Sequence, residues 1–112
     1  MTDFASAFSR FCATPYPGYP ALEELRDWNS ELLTVDGHIA GYAYRVHGGQ
    51  MQARQIPGLV EIVLRVESLR ASLDTIHPNS TEDRKLIGEY QSYISALESM
   101  VRELDQLARQ QR

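Results

Sequence analysis

The sequence predicts an all-α protein: an antiparallel up-down-up bundle of three main helices, with a short extra helix at the N-terminus. Three observations predict it. Apolar residues recur every three or four positions through the segments 21–47, 57–77 and 80–110, which is the period of a helix that buries one side. Every proline lies outside these segments or at the start of one, where a helix tolerates it. The joints at 48–56 and 78–80 are short enough to return the chain beside itself.

The short N-terminal helix comes first. In TDFASAFSRFC, Phe4, Phe8 and Phe11 are spaced by four and three and share a face. Thr2 or Asp3 supplies a cap, and the phenylalanine face reads as a lid over one end of the bundle or as a docking helix. Cys12, the only cysteine, reads as a small buried hydrophobe beside that face rather than a nucleophile. The next stretch, ATPYPGYPA, holds three prolines and predicts a stiff extended connector whose Tyr16 and Tyr19 pack on neighbours.

The first main helix, 21–47, carries Leu22, Leu25, Trp28, Leu32, Val35, Ile39, Tyr42 and Val46 on one face. Pro20 precedes it, and Gly48-Gly49 follows where a helix commonly ends. Asp36-Gly37 is also a hairpin signal. It opens an alternative, an α+β fold with a small β-meander at about 32–56 made from Leu32–Val35, His38–His47 and Gln50–Ile56. Alternation fails there: neither His38, Ala40, Tyr42, Tyr44 and Val46 nor Ile39, Gly41, Ala43 and Arg45 forms a clean apolar face, and glycine weakens a strand. Gly37-x-x-x-Gly41 marks a place where another helix of the bundle comes close.

The second main helix starts at Pro57 and ends before Pro78, with Leu59, Ile62, Val63, Val66, Leu69, Leu73 and Ile76 as the richest core stripe. Glu61–Arg65 and Arg70–Asp74 pair across one helical turn. The third is announced by Asn79-Ser80-Thr81-Glu82-Asp83, with Asn79 or Ser80 as cap and an acidic residue three positions on. Its face runs Leu86, Tyr90, Tyr93, Ile94, Leu97, Met100 or Val101, Leu104 and Leu107. Glu98–Arg102 and Asp105–Arg109 are further pairs, and the terminal QQR should fray.

The chain of 112 residues, 43% hydrophobic and 23% charged, reads as a single domain spanning 1–112. No apolar run approaches the roughly 20 residues of a membrane span, and no signal peptide is indicated. The lone cysteine and this absence point to the cytoplasm. A net charge of −4 offers no attraction to nucleic acid or to an anionic membrane.

Chemistry is sparse. His38, His47 and His77 fall too far apart on the expected bundle to share an ion; no metal and no cofactor are expected. No HExxH, CxxC, GxSxG, Walker or Rossmann pattern occurs, so no catalytic residue is assigned and the protein is not expected to be an enzyme.

Two features remain. Glu23, Asp27 and Glu31, with Glu24 beside them, form an acidic stripe four residues apart; with Trp28 or a nearby tyrosine as anchor they would bind a basic protein. Asp36 borders the core face, where an unpaired carboxylate is costly. Tyr90 and Tyr93 would donate to it, and with His38 and Tyr42 the group makes a candidate pocket. The expected function is a small acidic interaction module, an inhibitor of the immunity or antitoxin type that masks a basic partner. A homodimer through the same helices is compatible with it. The alternative is a small-molecule-binding or catalytic bundle around the Asp/Tyr/His pocket.

Overall fold

The computed structural model describes residues 3–111. In chain order it holds α1 (Phe4–Ala13), α2 (Glu23–His47), a single 3₁₀ turn (Ala53–Gln55), α3 (Leu59–Leu73) and α4 (Thr81–Gln110). No strand occurs among the described residues, so the meander alternative falls away. The helical face of the first long segment outweighs its Asp36-Gly37 turn signal, because Leu25, Leu32, Val35 and Ile39 are all buried together on it.

Local chemistry sets the helix ends. Asp3 caps α1 by accepting from the Ser6 amide at 2.8 Å; the alternative cap, Thr2, lies outside the described residues, as does Arg112 at the far end. Ser80 caps α4, accepting from the Asp83 amide at 3.1 Å, while Asp83 reaches back to accept from the Asn79 amide at 3.0 Å. Two otherwise orphaned donors are thereby satisfied. Two helices are shorter than their periodicity suggests. α2 begins at Glu23 rather than at 21, behind an extended Leu22. α3 begins two residues late because Gly58 takes a left-handed conformation, φ +66°, which glycine alone adopts without strain. It ends at Leu73 rather than at His77, where Thr75 tightens the turn: its amide and hydroxyl both donate to the Ser72 carbonyl, at 3.0 and 2.7 Å.

The core forms around α4 rather than α3. α4 buries Ile94, Leu97, Met100, Val101 and Leu104 completely and packs against all three other helices and the 3₁₀ turn. α3 leaves Val60 and Leu64 more than half exposed, since it is covered by neighbours on fewer sides. Charges follow the packing. Arg70 turns across to Glu98 on α4 instead of along its own helix to Asp74, and Arg102 bridges Glu67 at 3.1 Å and Glu98 at 3.8 Å. Asp105 and Arg109 pair as their spacing indicates, at 2.9 Å.

α1 lies on α4 and the end of α2. Phe8 and Phe11 are buried and Phe4 partly so. Phe8 stacks on His47 with ring centroids 4.5 Å apart and meets the Tyr44 ring edge-on at 5.0 Å; Phe11 packs on Tyr93 at 5.6 Å. The phenylalanine face is therefore a lid.

Candidate functional site

The acidic stripe is where helical spacing puts it. Glu23, Glu24, Asp27 and Glu31 are all exposed on α2. Glu23 and Glu31 stand about 12 Å apart along the axis. The ion pairs among the described residues involve Arg70, Arg102 and Arg109 with Glu67, Glu98 and Asp105, and none of the stripe carboxylates takes part. Trp28 is not beside them. It is 5% exposed, its indole N–H donates to the Leu69 carbonyl on α3 at 2.7 Å, and its ring meets Tyr90 edge-on at 5.2 Å. An amphipathic ring this close to the apolar stripe gains more from burial with a hydrogen-bonded nitrogen than from standing in water. The anchor role expected of it passes to no other residue of the stripe.

The candidate pocket divides in two. Asp36 and Tyr93 meet: the Tyr93 hydroxyl donates to Asp36 Oδ1 at 2.7 Å. Tyr90 is near but serves a different acceptor. Its hydroxyl lies 3.0 Å from both the Gly18 carbonyl and Asn29 Oδ1, and Tyr16 of the connector also donates to Asn29 Oδ1. His38 and Tyr42 lie on another side of α2, where with Gly37, Gly41 and Arg45 they line an open groove of about 260 Å³. Gly37 and Gly41 have nothing within 4 Å of the place a Cβ would take. No helix among the described residues touches them there, because α2 turns its apolar face to α3 and α4 and these glycines lie opposite.

Asn29, 3% exposed, gathers Tyr16 and Tyr90, and the Tyr16 ring joins this group to the Asp36–Tyr93 pair. Asn29 and Asp36 are seven residues apart, two helical turns, so both flank the core stripe of α2 on one side. Tyr90 and Tyr93 face them from α4, and Tyr16 covers them, its ring 4.8 Å from Tyr93 and 6.1 Å from Tyr90. Tyr16 packs on its neighbours as the connector's composition suggests, while Tyr19 stays 79% exposed and helical spacing alone does not mark Asn29. The signal available was the seven-residue repeat of polar residues at the edge of an apolar face.

Electrostatics keep this network uncharged except at Asp36. Burial pushes the Tyr90 hydroxyl up to about 12, with the charge of Glu89 adding to it. Burial also raises Tyr16, helped by Tyr90 and Asp36, and raises Tyr93, helped by its hydrogen bond to Asp36. All three remain proton donors across the physiological range. Burial holds the Asp36 carboxyl above its ordinary value, and the hydrogen bond from Tyr93 offsets part of this. An open cleft of about 350 Å³ lies between the connector and α4, lined by Thr14, Pro15, Tyr16, Pro17, Gly18, Glu89 and Ser92.

Cys12 is exposed rather than buried, since α1 turns Ala7, Phe8 and Phe11 inward instead, and its thiol points at the Tyr44 hydroxyl at 3.8 Å. Among the described residues no three His, Cys, Asp or Glu side chains are grouped to hold a metal ion. No helix among them is long and apolar enough to cross a membrane. Comparison with family models, with curated proteins and with solved structures finds no match for this chain.

Proposed function

We propose that the protein is a small interaction module that takes a basic surface of another protein against the exposed acidic stripe of α2, as an inhibitor of the immunity or antitoxin type would. The observation that carries this reading is that Glu23, Glu24, Asp27 and Glu31 are exposed on one helix and unpaired among the described residues. Like charges one turn apart weaken a helix by a few tenths of a kcal/mol per pair. A complementary partner would remove that repulsion and be steered by it. The pocket alternative is less favoured, since the Tyr16, Tyr90 and Tyr93 hydroxyls are spent on Asn29, Gly18 and Asp36, while His38 and Tyr42 line a separate groove. The same reading takes α2, α3 and α4 as an up-down-up bundle, supported by the contacts of Trp28 with Leu69, Glu67 with Arg102 and Arg70 with Glu98.

The test is charge reversal of the stripe. Glu23, Asp27 and Glu31 are changed together to lysine, which should leave the fold intact because exposed substitutions change stability by about half a kcal/mol or less each. The association rate with a basic protein recovered from the native cell is then measured at low and high salt. The wild-type rate should fall as salt screens the stripe, and the variant should associate far more slowly. Equal, salt-independent rates for the two proteins would remove the stripe from the interface.

A further inference from the structure

The outward side of α2 has the chemistry of a helix contact with no helix of the described residues upon it. Leu33 and Tyr44 are 49% and 60% exposed there. Beside them run Ser30, Thr34, Gly37 and Gly41, all exposed, and the space over both glycines is open. Covering this seam would strand no hydroxyl. Ser30 donates to the Arg26 carbonyl and Thr34 to the Ser30 carbonyl, each at 3.1 Å, so both are satisfied by their own helix.

The charges on this face say what fits it. Asp27 and Arg45 are eighteen residues apart, a whole number of turns at about 3.6 residues each, so they share one edge of the face at opposite ends. Arg26 and Tyr44 have the same spacing and share the other edge. Acid gathers toward the N-terminus, at Glu23, Asp27 and Glu31, while His38 and Arg45 wall the open groove toward the C-terminus. The Arg45 guanidinium lies 5.9 Å from the Tyr42 ring centre, and neither it nor Asp27 is in an ion pair among the described residues. A face with acid at one end and base at the other complements its own reversed copy. In an antiparallel two-fold contact each edge meets the far end of the same edge.

We propose that this face is an interface with a second copy of the chain, α2 against α2 and antiparallel. With Thr34 set opposite Gly37 of the other copy, Ser30 falls opposite Gly41, Asp27 beside Arg45, and Arg26 beside the Tyr44 ring. Glu31 then enters the groove between His38 and Arg45 of the other copy. Two-fold symmetry makes each contact twice, and the glycines let the backbones come close. A parallel pair would set Asp27 against Asp27 and Arg45 against Arg45, which repel. This contact goes beyond the capture of a basic protein and competes with it, because the second copy covers Asp27 and Glu31.

Sedimentation equilibrium of the full chain alone, from about 1 μM to about 1 mM, spans the affinities of weak to moderate dimers. Wild type should approach twice the monomer mass. Arg45→Glu and Asp27→Arg should each weaken association by at least about tenfold, and the two changes together should restore it to within a few-fold of wild type. Gly41→Leu should abolish the dimer with the helical circular dichroism unchanged, since its side chain meets nothing in the single chain. All of these positions are exposed, so the fold should hold. A wild type that stays monomeric throughout, a dimer indifferent to the single reversals, or reversals whose combination restores nothing would each overturn the proposal. None of these results touches the reading of the stripe as a site for a basic protein, since no other protein is present in the cell.

Discussion

Replacing Asn29 by alanine tests the central claim about how the connector is fastened. Asn29 is 3% exposed and its Oδ1 accepts from two tyrosines. Tyr90 retains the Gly18 carbonyl as an acceptor, so only Tyr16 loses its one partner outright. Each neutral hydrogen bond contributes about 1 kcal/mol net, and a stranded hydroxyl costs about 1–3 kcal/mol if it cannot reach water. Tyr16 keeps 37% of its surface exposed, which places its penalty at the low end. Alanine returns roughly half a kcal/mol of helix propensity. The net expectation is a loss of about 1.5–2.5 kcal/mol. Urea unfolding followed by circular dichroism should show a lower midpoint with an unchanged slope. Tyr16→Phe alone should cost about 1 kcal/mol and nothing further in the Asn29→Ala background, because the bond it removes is already gone. A loss below about 0.5 kcal/mol for Asn29→Ala, the range of an ordinary surface substitution, or strict additivity of the two changes would refute the reasoning.

Asp36→Asn should stabilise the protein at neutral pH and flatten its pH profile. Burial makes the ionised carboxylate unfavourable and outweighs the hydrogen bond from Tyr93, so the wild type should lose stability as pH rises through the raised carboxyl value while the variant does not; melting temperature against pH for both proteins checks it. The two kinds of glycine should answer oppositely to alanine. Gly41→Ala should stabilise by up to about 1 kcal/mol, since nothing lies near its missing side chain. Gly58→Ala should destabilise, because its φ of +66° strains any side chain; the pair is read from denaturation midpoints. This reverses the expectation drawn from spacing, under which a side chain at Gly41 would meet a neighbouring helix.

What the sequence determined by itself is the local structure. The helical period, a cap at Thr2 or Asp3 and another at Asn79 or Ser80, the end of α2 at Gly48 and the acidic stripe of Glu23, Asp27 and Glu31 all depend on residues within about one turn of each other. Their geometry is set by backbone chemistry before any packing occurs. The tertiary structure decided everything that depends on which faces meet. It buried Trp28, left Gly37 and Gly41 facing outward, drew Arg70 from Asp74 to Glu98 and made α4 the centre of the core. Asp36 and Tyr93, Asn29 and Tyr90, and Gly18 and Tyr90 are 57, 61 and 72 positions apart. Periodicity says that each lies near a core face, but a helix can be rotated by a few tens of degrees with its apolar stripe still covered. That rotation decides which polar neighbour at the stripe's edge is reached, and only the summed packing of the whole chain fixes it.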